Sequence, residues 1–434
     1  MDAGSVILDR MVLSAEGEAA GGTIWASAPT ANEAFCWTEL VDAPGFVALD
    51  AAWHSLCARA AVPNVFMEPD FARAVAEQSA RPVHAMLAWQ AVPGLEGRRL
   101  IGAWLVLLGR SRLSWPRSAL ISPASPIAYL GTPVLDRAAL RPALRSLLVA
   151  MRRNPDLPDL VQIGDFSAEL LPELQAVLRE LGMRAAFVER RRRARLLPHP
   201  DPKAFWAASM SKSRRQGLER QRRQLARAGA LAFSVVREPA AVAAAIEEFL
   251  ALEASGWKAR RESALACDPA TAALTRRMAE GLARRGRLAV HALRLDGRPL
   301  AMGVILYSGA GAFTWRTAFD ENHRRASPGV LLLEDTTRSL LIDAAVAVTD
   351  SCNHRDIGFQ AERWPERHEL VDLLIGLRPG RGLGIALLAA RERSLRGLKE
   401  RARQGRNGLR DAAPRLRGLP KALVAAAARL RPGG

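Results

Sequence analysis

The stretch Phe319-Asp320-Glu321-Asn322-His323-Arg324-Arg325-Ala326-Ser327-Pro328-Gly329-Val330 closes a predicted three-strand meander and opens an apolar helix. Upstream, strands over Arg287–Leu295, Pro299–Tyr307 and Ala312–Ala318 are separated by the turn residues Asp296-Gly297 and Gly309–Gly311. Downstream, a helix over Pro328–Ala345 leads to a strand over Val346–Thr349 that ends at Asp350. Ser327 is a favoured N-cap residue, Pro328 suits the first helical position because its missing N–H would be unpaired there, and Gly329 lets a ligand approach the backbone. A turn of this kind binds phosphate. Its free N–H groups at Ser327–Val330 and the positive end of the helix dipole face outward, with Arg324 and Arg325 beside them. The same residues also read as an ordinary capped helix.

The grammar of hairpin, apolar helix and short strand ending in an acid occurs once before, between Trp37 and about Glu189. A helical stretch around Trp53–Ala61 and a helix opened by Pro69-Asp70-Phe71 precede strands near Val83–Gln90 and Arg99–Leu108. After a Pro-rich passage, Trp115–Pro133, come a helix at Ala138–Arg152, a strand Leu160–Gly164 ending at Asp165, and a helix at Ala168–Leu181. Two such copies read as an internal duplication. Between them Ser209–Ala228 forms a basic helix with a thin apolar stripe, Leu218 and Leu225, stopped at Gly229. The expected organisation is therefore an irregular segment over 1–35, α/β units over 36–200 and 230–380 joined by a basic helix at 201–229, and a basic, helical or partly disordered tail over 381–434.

With 434 residues the chain is long enough for two or three domains, each able to bury a core. Met1–Glu33 has no basic-then-apolar order of the signal-peptide kind, and apolar runs such as Leu100–Leu108 fall short of a membrane span, so a cytoplasmic protein is expected. Cys36, Cys57, Cys267 and Cys352 are scattered without a C-x-x-C pair, which points to reduced thiols and to no metal site. The net charge of +18 is confined to two segments: Arg184–Arg227, with 14 basic and 3 acidic residues, and Arg378–Gly434, with 15 and 3. Those contribute +11 and +12, leaving the remaining body at −5. An acidic body with a basic connector and tail fits an enzyme that meets surfaces better than a protein that fills a nucleic-acid groove. Leu423–Leu430 is apolar enough to touch a membrane, so the expected contact of the tail is with the inner membrane surface or an acidic polymer.

Read together, the motifs resemble the CelD-type acetyltransferases of the GNAT superfamily, named for bacterial cellulose biosynthesis and related in architecture to the FemAB aminoacyltransferases. The resemblance is carried by Ser211-Lys212-Ser213-Arg214-Arg215, Arg222–Gly229, Leu252-Glu253-Ala254-Ser255-Gly256-Trp257-Lys258 and Leu295–Ala301. It continues through Phe319-Asp320-Glu321, Ser327-Pro328-Gly329, Asp350-Ser351-Cys352 and Trp364-Pro365-Glu366-Arg367. It covers about Trp37–Arg378 and is strongest over Ser211–Arg367. What it implies is an α/β fold of two tandem GNAT-like domains with mixed, mostly antiparallel sheets, and an acyl-CoA donor, most simply acetyl-CoA, used without a metal. The implied acceptor is a small molecule or a saccharide precursor of an exopolysaccharide. Under the FemAB alternative the donor is aminoacyl-tRNA, held by Ser209–Arg227; otherwise nucleic acid is not expected. A third reading is a degenerate scaffold that only binds acidic surfaces. The spaced glycines of the usual GNAT phosphate loop are replaced here by Arg324–Gly329, and the earlier copy, with Ser125-Pro126 and Gly131-Thr132-Pro133, offers no better loop.

Acyl transfer needs alignment of donor and acceptor, a proton acceptor and stabilisation of a developing oxyanion. Asp350, at a strand end beside the helix, is the expected base, with His354 and Glu321 as further candidates. Tyr307 is placed to protonate the leaving thiolate, the role that a tyrosine has in many GNAT enzymes. Lys258 offers a mobile point charge beside Trp257, and Trp364 with Arg367 reads either as a stacking and ion-pairing clamp for the acceptor or the adenine, or as a lid over the core. Cys352, two residues from His354, ranks low as an acyl carrier because the resemblance implies direct transfer.

Overall fold

The computed structural model describes residues 23–27, 36–92, 97–123, 127–380 and 382–416. The apolar piece Leu423–Leu430 and most of the expected irregular N-terminal segment lie outside them. Among the described residues fourteen strands form one continuous sheet. The first half supplies β1 (Thr23–Ala26), β2 (Cys36–Asp42), β3 (Val83–Ala91), β4 (Arg98–Gly109), β5 (Ala119–Ile121), β6 (Val134–Leu135), β7 (Leu160–Ser167) and β8 (Arg184–Leu196). The second supplies β9 (Leu231–Val236), β10 (Leu288–Leu295), β11 (Arg298–Ser308), β12 (Gly311–Phe319), β13 (Val348–Asp350) and β14 (Glu366–Gly376). Their order is β1-β2-β3-β4-β5-β7-β14-β8-β13-β12-β11-β10-β9, with β6 beside β4. Two neighbouring pairs are parallel, β5 with β7 and β12 with β13.

The halves exchange a strand. β14 from the second half lies between β7 and β8 of the first, and β8 in turn pairs with β13. Units 36–200 and 230–380 are thus parts of one sheet. Neither exchanged strand shows the apolar alternation that marks a half-buried strand. The inward positions of β8 include Arg191 and Arg193, and those of β14 His368 and Asp372. Each charge is met inside. Arg191 binds Asp165 and Asp372, and Arg193 binds Asp350. Part of what composition presents as a basic connector is therefore neutralised within the sheet.

The repeated grammar appears as repeated topology. In each half one helix bridges the parallel pair: Leu140–Arg153 between β5 and β7, and Pro328–Ile342 between β12 and β13. The second buries Val330, Leu331, Leu332, Leu333, Leu340 and Leu341. At about 25 cal/mol per Å² such a face supplies much of the local driving force for packing. The helix ends at Ile342 rather than the expected Ala345, because Asp343 starts a turn: its carboxylate accepts the Ala345 N–H at 3.1 Å and its carbonyl the Val346 N–H at 3.0 Å.

The basic helix runs from Lys212 to Ala228, capped by the Ser211 side chain and ended at Gly229, where a Cβ would lie 2.2 Å from Asp296 Oδ2. Arg222 ties it to the bridging helix through Glu334 and Asp335. The C-terminal helix Gly382–Leu416 packs over the exchanged strands β8 and β14. No helix among the described residues is long and apolar enough to cross a membrane.

Candidate functional site

β12 and β13 run side by side for three residue pairs, Gly311↔Val348, Ala312↔Thr349 and Phe313↔Asp350, and then part. A cleft of about 890 Å³ occupies the fork, lined by Thr314–Phe319 on one arm and Ser351–His354 on the other. The parting has a local cause. Asp350 Oδ1 accepts the Cys352 N–H at 2.7 Å, and Cys352 adopts a left-handed backbone, φ 53°, which turns the chain away from β12. Oδ2 of the same carboxylate is fixed by Arg193 Nη2 at 2.8 Å and by His368 Nδ1 at 2.7 Å. His368 is set in turn by Ser167, 2.9 Å from its Nε2.

This overturns the expectation of Asp350 as the base. It is 5% exposed and does not line the cleft. Burial alone would raise its carboxyl, but Arg193 and His368 outweigh burial and hold it below the usual carboxylate range. A carboxylate held by three donors is a weak proton acceptor. Its contribution is positional.

The Ser327-Pro328-Gly329 turn forms with one change. Pro328 opens the helix as expected, but Ser327 has φ 52° and its side chain makes no capping bond. Its carbonyl instead accepts the N–H groups of Val330, at 2.9 Å, and Leu331, at 3.2 Å. Among the described residues the Gly329 N–H has no backbone acceptor, and Gly329 lines the cleft. A Cβ added there would meet only the Phe319 ring, at 3.5 Å. A CoA pyrophosphate fits this cradle: an open glycine at a helix start, with the exposed Arg324 and Arg325 on the preceding turn.

Trp257, Lys258 and His354 also line the cleft. Lys258 Nζ donates to Glu253 Oε1 at 2.7 Å and to Thr317 O at 2.8 Å, which engages two of its three donors. Burial lowers the lysine despite the neighbouring Glu253. Trp257 is 41% exposed, with the Arg261 guanidinium over its ring at 5.1 Å.

Four expected site residues are occupied elsewhere. Glu321 accepts the Trp257 N–H at 2.5 Å and Arg260 Nη2 at 2.6 Å, so it latches the Trp257 loop instead of facing an acceptor. Tyr307 lies beyond the helix end, bonded to Arg237 at 3.1 Å, and does not line the cleft. Trp364 is 0% exposed and donates to Thr337 Oγ1 at 3.1 Å, as a core residue. Arg367 is spent on Asp356 and on the carbonyls of Ala361, Trp364 and Glu366.

The residue that sequence reading missed is Tyr129. It comes from the Pro-rich passage of the first half, yet it lines the cleft of the second. Trp315 Nε1, donating to Ile127 O at 2.9 Å, and Arg193 Nη1, donating to Tyr129 O at 2.7 Å, hold that passage in place. Its hydroxyl has no hydrogen-bond partner among the described residues. Burial raises the phenol, with Arg316 opposing, so it stays protonated at neutral pH. The first half's own fork is plugged. Gly131 donates there to Gly164 O at 3.1 Å, and a Cβ would come within 2.3 Å of that oxygen.

Residues 212–347 match the family described as "Acetyltransferase (GNAT) domain". In structure the chain is similar to FemX, at a TM-score of 0.55 and 10% identity, over 76% of this chain and 96% of that one. It is also similar to a conserved protein of unknown function from Bacteroides thetaiotaomicron, at TM-score 0.46 and 11% identity over 76% and 96% of the two chains. A third likeness is to a tandem GNAT protein from the clavulanic acid biosynthesis pathway, at TM-score 0.39 and 14% identity over 78% and 98%. No curated protein matches the chain in sequence. The second half thus matches a GNAT acetyltransferase domain over residues 212–347, and the α/β fold as a whole is similar to that of FemX.

Proposed function

We propose that the chain is an acyl-CoA-dependent acyltransferase that works in the β12/β13 fork and moves an acyl group, most simply acetyl, to a hydroxyl or amine. The observation that carries this is the open Gly329 at the start of the bridging helix, inside a cleft between parting parallel strands. Gly329 and the turn before it hold the pyrophosphate, with Arg324 and Arg325 toward the phosphates. The bound donor supplies an activated thioester. His354, on the opposite arm, takes the proton of the acceptor, and Tyr129 returns one to the leaving sulfur. Trp257 gives the acceptor an aromatic face, which suits the apolar side of a sugar ring. The CelD-type resemblance supports a saccharide acceptor and a cytoplasmic place of work.

Titration calorimetry with acetyl-CoA tests the reading, and wild-type protein that takes up none would overturn it. Gly329→Val places its Cβ in ordinary contact with Phe319, so the fold is kept while the cradle fills. CoA affinity is expected to fall at least tenfold, about 1.4 kcal/mol. Unchanged affinity would remove the turn from the site.

A second reading has a specific observation behind it. Lys212, Arg214, Arg220, Arg223 and Arg227 of the basic helix are exposed. A polyanionic donor such as aminoacyl-tRNA would meet them, and its binding would weaken steeply with salt. Saturable acetyl-CoA binding without salt-dependent tRNA binding decides for the first reading.

A further inference from the structure

The helix Gly382–Leu416 has a packed side and a bare one. Ile385 and Ala389, 1% and 0% exposed, face the sheet, and Glu392 beside them holds Arg112 and Arg396. On the opposite side Leu383, Leu387 and Leu398 are 75%, 62% and 61% exposed. At 3.6 residues per turn these three fall within roughly 60° of one another about the axis. Single exposed leucines need no explanation, but a row along one helix face does. Trp115, 60% exposed, widens the row from another element. Arg391 fastens its loop to the helix, donating to Trp115 O at 2.8 Å and to Arg112 O at 2.7 Å.

Charge selects what covers this face. Lys399 and Arg401 are exposed along the same helix, and Arg378–Gly434 carries 15 basic residues against 3 acidic ones. A second copy of the chain would bring like charge against like. An anionic lipid surface answers both features: leucines and the indole enter the headgroup–acyl boundary, while arginines and lysine meet phosphates. We propose that this helix lies flat on an anionic membrane, with Leu383, Leu387, Leu398 and Trp115 as the inserted face. The inference stands apart from the acyl-transfer reading, since none of these residues lines the cleft.

The test is co-sedimentation of the full chain with vesicles of phosphatidylglycerol and phosphatidylcholine in equal parts, and with phosphatidylcholine alone. Binding is expected only to the first and should weaken with salt, each basic residue at the surface contributing about fivefold. Leu383→Glu/Leu387→Glu/Leu398→Glu should lower partitioning more than tenfold with the thermal midpoint unchanged, because the leucines lie mostly in solvent. Trp115→Ala, on a separate element, should lower it in the same direction. The proposal is overturned if the triple variant sediments like wild type, or if both vesicle types bind alike. It also fails if wild type is a dimer that the triple variant splits while neither binds vesicles.

Discussion

Asp350→Asn is expected to lower folding stability by about 3–5 kcal/mol, because it removes one partner of a buried ion pair and leaves the Arg193 guanidinium uncompensated. Arg193 is 1% exposed, and its remaining partners are the carbonyl of Tyr129 and, at 3.9 Å, the Asp165 carboxylate that already serves Arg191. Thermal or urea unfolding measures the loss. The pH dependence has a definite sign. The Asp350 carboxyl lies below its unfolded value, so its stabilisation is complete above about pH 4, the ordinary aspartate pKa, and is lost as pH falls through the folded value. Wild type should therefore lose stability on acidification more steeply than the Asn variant. Activity should fall too, since the Asp350 turn positions Ser351–His354. An Asn variant as stable as wild type, with a lower maximal rate and no acid limb, would restore Asp350 as the base.

Tyr129→Phe should lower kcat by about 10²-fold while acyl-CoA affinity stays unchanged, the low end of what one positioned acid contributes. The substitution removes a hydroxyl that has no hydrogen-bond partner among the described residues, so stability should hardly move. A more acidic leaving thiol needs less protonation, and a donor thioester made from one should recover much of the lost rate. Normal turnover in the Phe variant would exclude the role. Failure of the acidic thiol to rescue would make the hydroxyl a binding group.

The meander, the bridging helix and its turn could be read from sequence because each follows a local rule. Asp296-Gly297 marks a hairpin, Pro328 a helix start, and the leucines after Val330 a buried face. The centre of the sheet follows no such rule. In β8 and β14 the positions that should be apolar hold Arg191, Arg193, His368 and Asp372, and their partners across the exchange, Arg191 with Asp372, Arg193 with Asp350 and His368 with Ser167, lie far apart along the chain. An arginine run reads as solvated until its carboxylates are placed. Asp350 looked catalytic for the same reason, since the sequence shows the acid at a strand end but not the guanidinium and imidazole that claim it. Tyr129 had one faint mark, as one of only two tyrosines, set in a Pro-rich passage without period. Its route into the other half's cleft depends on tertiary contacts alone.

The strand exchange also has a consequence for biosynthesis. A chain made from its N-terminus can complete β7 and β8 early, but the place between them belongs to β14, whose residues Glu366–Gly376 emerge only after the whole second half has been made. Until then the nascent first half carries two unpaired strand edges and lacks Asp372 and Asp350, the later partners of Arg191 and Arg193. Such edges invite wrong pairing. A ribosome stalled before Glu366 would hold a first half that is long enough to be a domain and unable to close as one.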